Sequence, residues 1–275
     1  MSPSRLALWL DCPKAYRLQY LDRPRRPPAP QRAIVSIGNS AHAALSHFWD
    51  LPPGEQTPDG VRSLLGRLWQ HAGFEDPEQS AQWRVLVGRW LVDYLRGTDR
   101  ENQPVALERT VALRTASLAV TGRVDRVEDR DDELVVVDYK TGSSPPEPDS
   151  ARTSLALGLY AVALSRMFRR PVRQVELHHL PTGTVVGHRH TELSLTRKLA
   201  EAESIGVDIA LAHADFETQG AASLLFEARP SALCRWCAVQ EHCEQGRRMG
   251  PSQPLSAGLE RLEQTSGQPP EGPVG

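Results

Sequence analysis

The triplet Asp138-Tyr139-Lys140 closes the apolar run Leu134-Val135-Val136-Val137, and a second acid, Asp125, lies upstream in Gly122-Arg123-Val124-Asp125-Arg126. Two carboxylates and an ammonium group on adjacent strands can hold a divalent cation beside a phosphodiester. Cleaving that bond needs an activated water, charge neutralisation at phosphorus and help for the leaving oxygen. Divalent metals held by carboxylates with open coordination positions supply all three. Lys140 stands two residues past Asp138 and shares its face of a strand, while Tyr139 points away but offers its backbone carbonyl to the metal. A second chemistry lies in the cysteines, Cys12 and then Cys234-x2-Cys237-x5-Cys243. Their spacing favours metal ligation over a disulfide framework, and soft thiolates suit zinc or an iron–sulfur cluster.

These residues need elements to place them. A helix is expected over 4–20, capped by Ser2 or Ser4 and interrupted at Pro13. The Pro/Arg-rich run Arg23 to Pro30 is an exposed connector. Helices follow over 33–49, 61–71 and 77–95, the last two forming an inserted helical subdomain within 52–104. From Val105 the period becomes that of strands, at 105–113, 118–127 and 133–138, with the acidic run 128–132 as the turn between the last two. That hairpin sets Asp125 beside Asp138. A helix over 151–168, strands over 172–180 and 184–191, and a helix over 194–213 capped by Ser194 complete the core. Residues 224–246 carry the cysteine cluster, and 251–275, rich in Pro, Gly, Ser, Gln and Glu, read as a disordered tail. His178, His179, His188 and His190, on two strands joined by a turn, read as surface residues rather than as a second metal site.

The 275 residues accommodate one large domain, and 40% hydrophobic content provides a core. A net charge of −2 does not mark a nucleic-acid binder by bulk electrostatics, although a local groove matters more than the total. No apolar run approaches the ~20 residues of a membrane helix, and the N-terminus lacks a signal-peptide pattern. A cytoplasmic protein is expected.

Asp125 with Asp138-Tyr139-Lys140 resembles the core of the PD-(D/E)XK nuclease superfamily. More narrowly, the chain resembles its RecB-like exonuclease branch, which includes the AddB nuclease domain and the CRISPR-associated iron–sulfur nucleases. Gly38-Asn39-Ser40-Ala41-His42-Ala43-Ala44-Leu45 matches that branch's G-x-x-x-H-x-x-L pattern, and Glu108 in Leu107-Glu108-Arg109 matches its glutamate. The resemblance implies an α/β fold, with a mixed central sheet flanked by helices. It implies Mg²⁺ or Mn²⁺ held by His42, Asp125 and Asp138, with Glu108 assisting and Lys140 handling the water. Ser4-Arg5-Leu6 and Cys12-Pro13-Lys14-Ala15-Tyr16 match the branch's entry motif, which implies a [4Fe–4S] cluster on Cys12, Cys234, Cys237 and Cys243, with zinc the alternative. Such a cluster would staple the two ends of residues 1–250. The run Ala156-Leu157-Gly158-Leu159-Tyr160 matches the Gln-Leu-x-x-Tyr helix signature, except that Ala156 replaces the glutamine. Tyr160, Arg123 and Arg126 become candidate substrate contacts. The activity implied is a single-strand DNA exonuclease in repair or recombination, working beside a helicase or recombination partner. The alternative is a catalytically weakened DNA-binding or assembly subunit.

Overall fold

Proline can open a helix because its missing N–H would have no partner there. Pro3 and Pro13 do so in the computed structural model, which describes residues 1–99, 103–130 and 132–266. They start α1 (Pro3–Asp11) and α2 (Pro13–Tyr20). The single kinked helix expected over 4–20 is therefore two helices, parted at Cys12, which is extended (φ −162°, ψ 101°). Next come α3 (Ala33–Phe48), α4 (Pro58–Leu68) and α5 (Pro77–Arg96). Thr57 caps α4 by accepting the Gly60 N–H, and Asp76 caps α5 by accepting the Gln79 N–H at 2.7 Å.

The strands follow: β1 (Ala106–Arg114), β2 (Ala119–Arg130) and β3 (Glu133–Lys140). Then come α6 (Ser150–Thr153) and α7 (Leu155–Phe168), β4 (Val172–His179) and β5 (Thr184–Arg189), and α8 (Glu192–Gln219), α9 (Glu244–Arg248) and α10 (Leu259–Ser266). The helix expected over 151–168 breaks at Ser154, whose side chain accepts the Leu157 N–H and starts α7 afresh. The helix expected to begin at Ser194 begins at Glu192 and runs to Gln219. The strand register brings β2 to Arg130 and β3 to Glu133, so little of the acidic run is turn. Asp131, which the sequence places in that turn, lies outside the described residues.

The strands form one five-stranded sheet in the order β1-β2-β3-β4-β5. β2 and β3 are antiparallel (Arg126↔Val137), β3 and β4 parallel (Tyr139↔His178), and β4 and β5 antiparallel. The parallel pair is joined through α6 and α7, as such a crossover requires. Leu134 to Val137 are all nearly or fully buried, which explains a continuous apolar run rather than an alternating one. This is the mixed α/β sheet with flanking helices that the sequence implied.

The chain divides into two compact units. The first comprises Met1–Ala29, Ala112–Gly122 and Leu193–Pro254; the second comprises Pro30–Val111, Arg123–Glu192 and the residues from Leu255. In the first, Trp9 meets Tyr16 and Phe226 edge to face. A smaller apolar cluster gathers Ala15, Leu18, Val239 and Cys243. In the second, Ala33, Ile37, Ala41, Ala44, Leu45 and Phe48 are fully buried at helical spacing. They share one core with Leu64, Leu65, Trp83, Trp90 and Leu91 of α4 and α5 and with Val135, Val137 and Tyr139 of β3. The helices of the expected 52–104 insertion thus pack into the core that α3 and β3 share; Arg100, Glu101 and Asn102 lie outside the described residues.

The expected disordered tail needs correction. Leu259 and Leu262 are 4% and 1% exposed on α10 and join the same core. Their i, i+3 spacing gives an apolar edge that the surrounding polar composition hides. Residues 267–275 lie outside the described residues. No described helix is long and apolar enough to cross a membrane.

Candidate metal-dependent active site

β2 and β3 present the acids. With Arg126 opposite Val137, Asp125 and Asp138 are the next residues along their strands. The backbone N–H of Tyr139 donates to Asp125 Oδ2 at 2.8 Å, which leaves Oδ1 facing His42 Nδ1 at 3.2 Å. Tyr139 thus holds the acid through its backbone N–H.

α3 brings His42 to this point. The Gly38 position of its motif is explained by packing, because a Cβ there would stand 3.1 Å from Thr141 Oγ1, just past Lys140. The helix therefore lies close against the chain leaving β3. The His42 ring also meets Tyr139 edge to face, with centroids 5.7 Å apart.

Glu108 arrives by an irregular path. Its φ of 45° lies in the left-handed region, which costs a non-glycine residue about 1–3 kcal/mol. Strand alternation fails beside it, since Arg109 and Thr110 are both exposed. This distortion aims the Glu108 carboxylate at the site, as strand irregularities beside active sites do. One donor atom each from His42, Glu108 and Asp125 lies within 4.8 Å of the others. Glu108 also pairs with the Arg123 guanidinium.

Asp138 stands outside that trio in this geometry, because its Oδ2 is 2.5 Å from Lys140 Nζ. Burial raises the Asp138 carboxyl above the usual range; Lys140 opposes this, and the negative Asp125 adds to it. For His42, burial alone would lower the pKa. The hydrogen bond to Asp125 and the charges of Asp125, Asp138 and Glu108 outweigh it and raise the value. Two carboxylates and an imidazole converging this closely form a donor set suited to a divalent cation.

The candidate substrate contacts separate. Tyr160 is half-buried on α7, its phenol pKa raised by burial first and then by the nearby Asp138. The Arg123 side chain is exposed. Arg126 must be corrected. It is 1% exposed, paired to Glu128 at 2.6 Å and stacked over Trp49 at 4.4 Å, so it is core rather than a nucleic-acid contact. A period-2 pattern gives its face, but only the helices from 33 to 96 decide that this face is covered.

The sequence also gave no sign of the buried network behind Tyr139. Tyr94 Oη lies 2.8 Å from His178 Nδ1, His178 Nε2 lies 2.9 Å from Glu176, and Arg130 grips the Glu176 carboxylate with two nitrogens. Burial opposes ionisation of Glu176, yet hydrogen bonds from His178 and Arg130 lower its pKa to about 2. The surface placement expected of the strand histidines needs correction: His178, His179 and His190 are buried, and His179 holds the Gly142 carbonyl at 2.7 Å.

The cysteines form a separate site within the first unit. Cys12, Cys234, Cys237 and Cys243 line one cavity of about 310 Å³, together with apolar side chains such as Leu8 and Val239. Burial first, and then the other three cysteines, raise the Cys237 thiol. Backbone N–H groups of Ser231 and Gly246 donate to Cys234 Sγ and Cys243 Sγ at 3.4 and 3.3 Å.

A sequence profile of the PD-(D/E)XK nuclease superfamily matches residues 1–244. The crystal structure of a protein provisionally called an exonuclease, from Eubacterium rectale, is similar at a TM-score of 0.46 and 10% identity, over 74% of this chain and 77% of that one. No curated protein matches.

Proposed function

The chain belongs to the PD-(D/E)XK nuclease superfamily, and from that premise we propose that it is a metal-dependent DNA nuclease of the RecB-like branch, a single-strand exonuclease serving repair or recombination. The observation that carries this reading is the meeting of His42, Glu108 and Asp125 donors within 4.8 Å, beside the Asp138–Lys140 pair. Mg²⁺ or Mn²⁺ there would supply charge neutralisation at the phosphate and acidify water at neutral pH.

The chain's own residues do the rest. The Tyr139 N–H fixes one oxygen of Asp125 so that the other stays turned to His42. Asp138 anchors the Lys140 ammonium on the site face of β3, where it orients the attacking water and stabilises charge developing on the phosphate. Arg123, exposed and tethered to Glu108, offers a guanidinium to the phosphate backbone.

The four cysteines are assigned to a [4Fe–4S] cluster. Their shared cavity and their amide-to-sulfur hydrogen bonds support a thiolate-held centre, and the branch's cysteine pattern favours the polynuclear one over zinc. Its role is a staple within the first unit, joining Cys12 to residues 234–243.

Ala156, where the branch has glutamine, favours the second reading, a weakened DNA-binding or assembly subunit. End-labelled linear single strands, linear duplex and circular single strands, each with Mn²⁺ and with chelator, separate the two. The expected result is degradation of linear single strands, intact circles, and no cleavage with chelator. Equal cutting of circles would overturn the exonuclease assignment. DNA binding without cleavage of any substrate would select the assembly reading.

A further inference from the structure

We propose that the C-terminal segment Leu255–Ser266 is a positioning strap for the active site, holding α3, which carries His42, in place against the chain leaving β3, which carries Asp138 and Lys140. The segment lies beyond residues 1–244 matched by the superfamily profile. The proposal rests on the metal-site reading above.

Four contacts define the strap. At its start, the Leu255 carbonyl accepts the Ala33 N–H at 3.0 Å. Ala33 is the first residue of α3, and Arg32 provides no side-chain cap. The strap thus satisfies one of the donors that every helix start leaves without a partner. Ser256 Oγ then donates to Glu75 Oε1 at 2.7 Å, in the loop before α5. Leu259 and Leu262 enter the core that contains Ile37, Ala41 and Leu45 of α3 and Val137 and Tyr139 of β3. At the far end, Thr265 Oγ1 donates to the Ser143 carbonyl at 2.6 Å; its alternative within α10, the Arg261 carbonyl, is longer at 3.0 Å.

Ser143 is three residues past Lys140. The intervening chain is fixed twice more, by Thr141 packed against Gly38 and by His179 on the Gly142 carbonyl. The strap adds a contact that reaches both sides at once. Metal-site donors that come from two elements keep their spacing only if those elements are fixed to each other, and supporting partners commonly govern affinity as strongly as some ligands. Thr265, Leu259 and Leu262 are positioning residues; none of them touches the site itself.

The test uses the full chain with Leu262→Ala and Thr265→Val combined, and Thr265→Val alone. Mn²⁺ binding is titrated by the paramagnetic resonance of the free ion, and amide hydrogen exchange is followed without metal. The double variant is expected to bind Mn²⁺ about tenfold more weakly. Exchange should quicken at 33–42 and 141–145 as well as along α10. Thr265→Val alone, isosteric and able to fold, is expected to lose about threefold in affinity. Affinity within about twofold of wild type in both variants, with faster exchange confined to 255–266, would overturn the strap. Both readouts are independent of cleavage. A wild-type protein that binds Mn²⁺ but cuts nothing would therefore defeat the nuclease reading while leaving the strap comparison intact.

Discussion

Replacing Asp138 by asparagine, or Lys140 by alanine, is expected to slow cleavage of labelled single-stranded DNA by about 10³-fold or more, measured in single turnover at saturating Mn²⁺. A loss of that size corresponds to ~4 kcal/mol of transition-state stabilisation. An exposed ion pair is worth only ~0–1 kcal/mol, so simple disruption of a surface salt bridge could not produce it. The Asp138 carboxyl is held back from solvent and its pKa is pushed up by burial and by Asp125. The folded protein thus carries unfavourable electrostatics at this point, as functional sites often do. Asp138→Asn removes that charge while keeping the side chain's shape. Its melting temperature is expected to equal or exceed that of the wild type even as activity vanishes. A variant that melts much lower and loses activity in proportion would mark Asp138 as structural.

Cys234→Ser is the second large effect. Anaerobically purified wild-type protein is expected to be brown, with broad absorbance near ~400 nm, and the variant colourless. The first unit should lose its cooperative melting transition, because structural metal binding contributes on the order of 10 kcal/mol. That is comparable with the roughly 5–15 kcal/mol by which whole domains are stable. The apolar cluster around the cysteines is small, essentially Ala15, Leu18, Val239 and Cys243 with Leu8 beside them. The segment from 224 to 248 consists of short helical turns that cannot stand alone. Colourless wild-type protein holding stoichiometric zinc would overturn the cluster assignment.

How much of this could be read from the chain depended on how local each signal was. Asp138-Tyr139-Lys140 and the Cys-x2-Cys-x5-Cys run are short, and their chemistry depends on residue type and spacing alone. The G-x-x-x-H run located His42, although only the structure shows that Gly38 is needed for the approach of Thr141. Glu108 was found, but not its left-handed backbone, since nothing in Leu107-Glu108-Arg109 announces a distortion. Arg126 was misread because strand alternation cannot say which face a distant helix will cover. The Tyr94–His178–Glu176 network depends on β3 and β4 pairing in parallel, a non-local fact. Leu259 and Leu262 were hidden because Pro, Gly and Ser around them dominate composition, while two leucines suffice to dock one short helix on an existing core.

The central claim is that residues from α3, β1 and β2 share one divalent ion beside the Asp138–Lys140 pair of β3. The direct measurement is the position of Mn²⁺ in crystals of the full chain, located by anomalous scattering. A single strong peak among His42, Glu108 and Asp125, beside Asp138, and absent in Asp125→Asn, is the expected result. A peak elsewhere, or none at Mn²⁺ concentrations that support binding in solution, would contradict it.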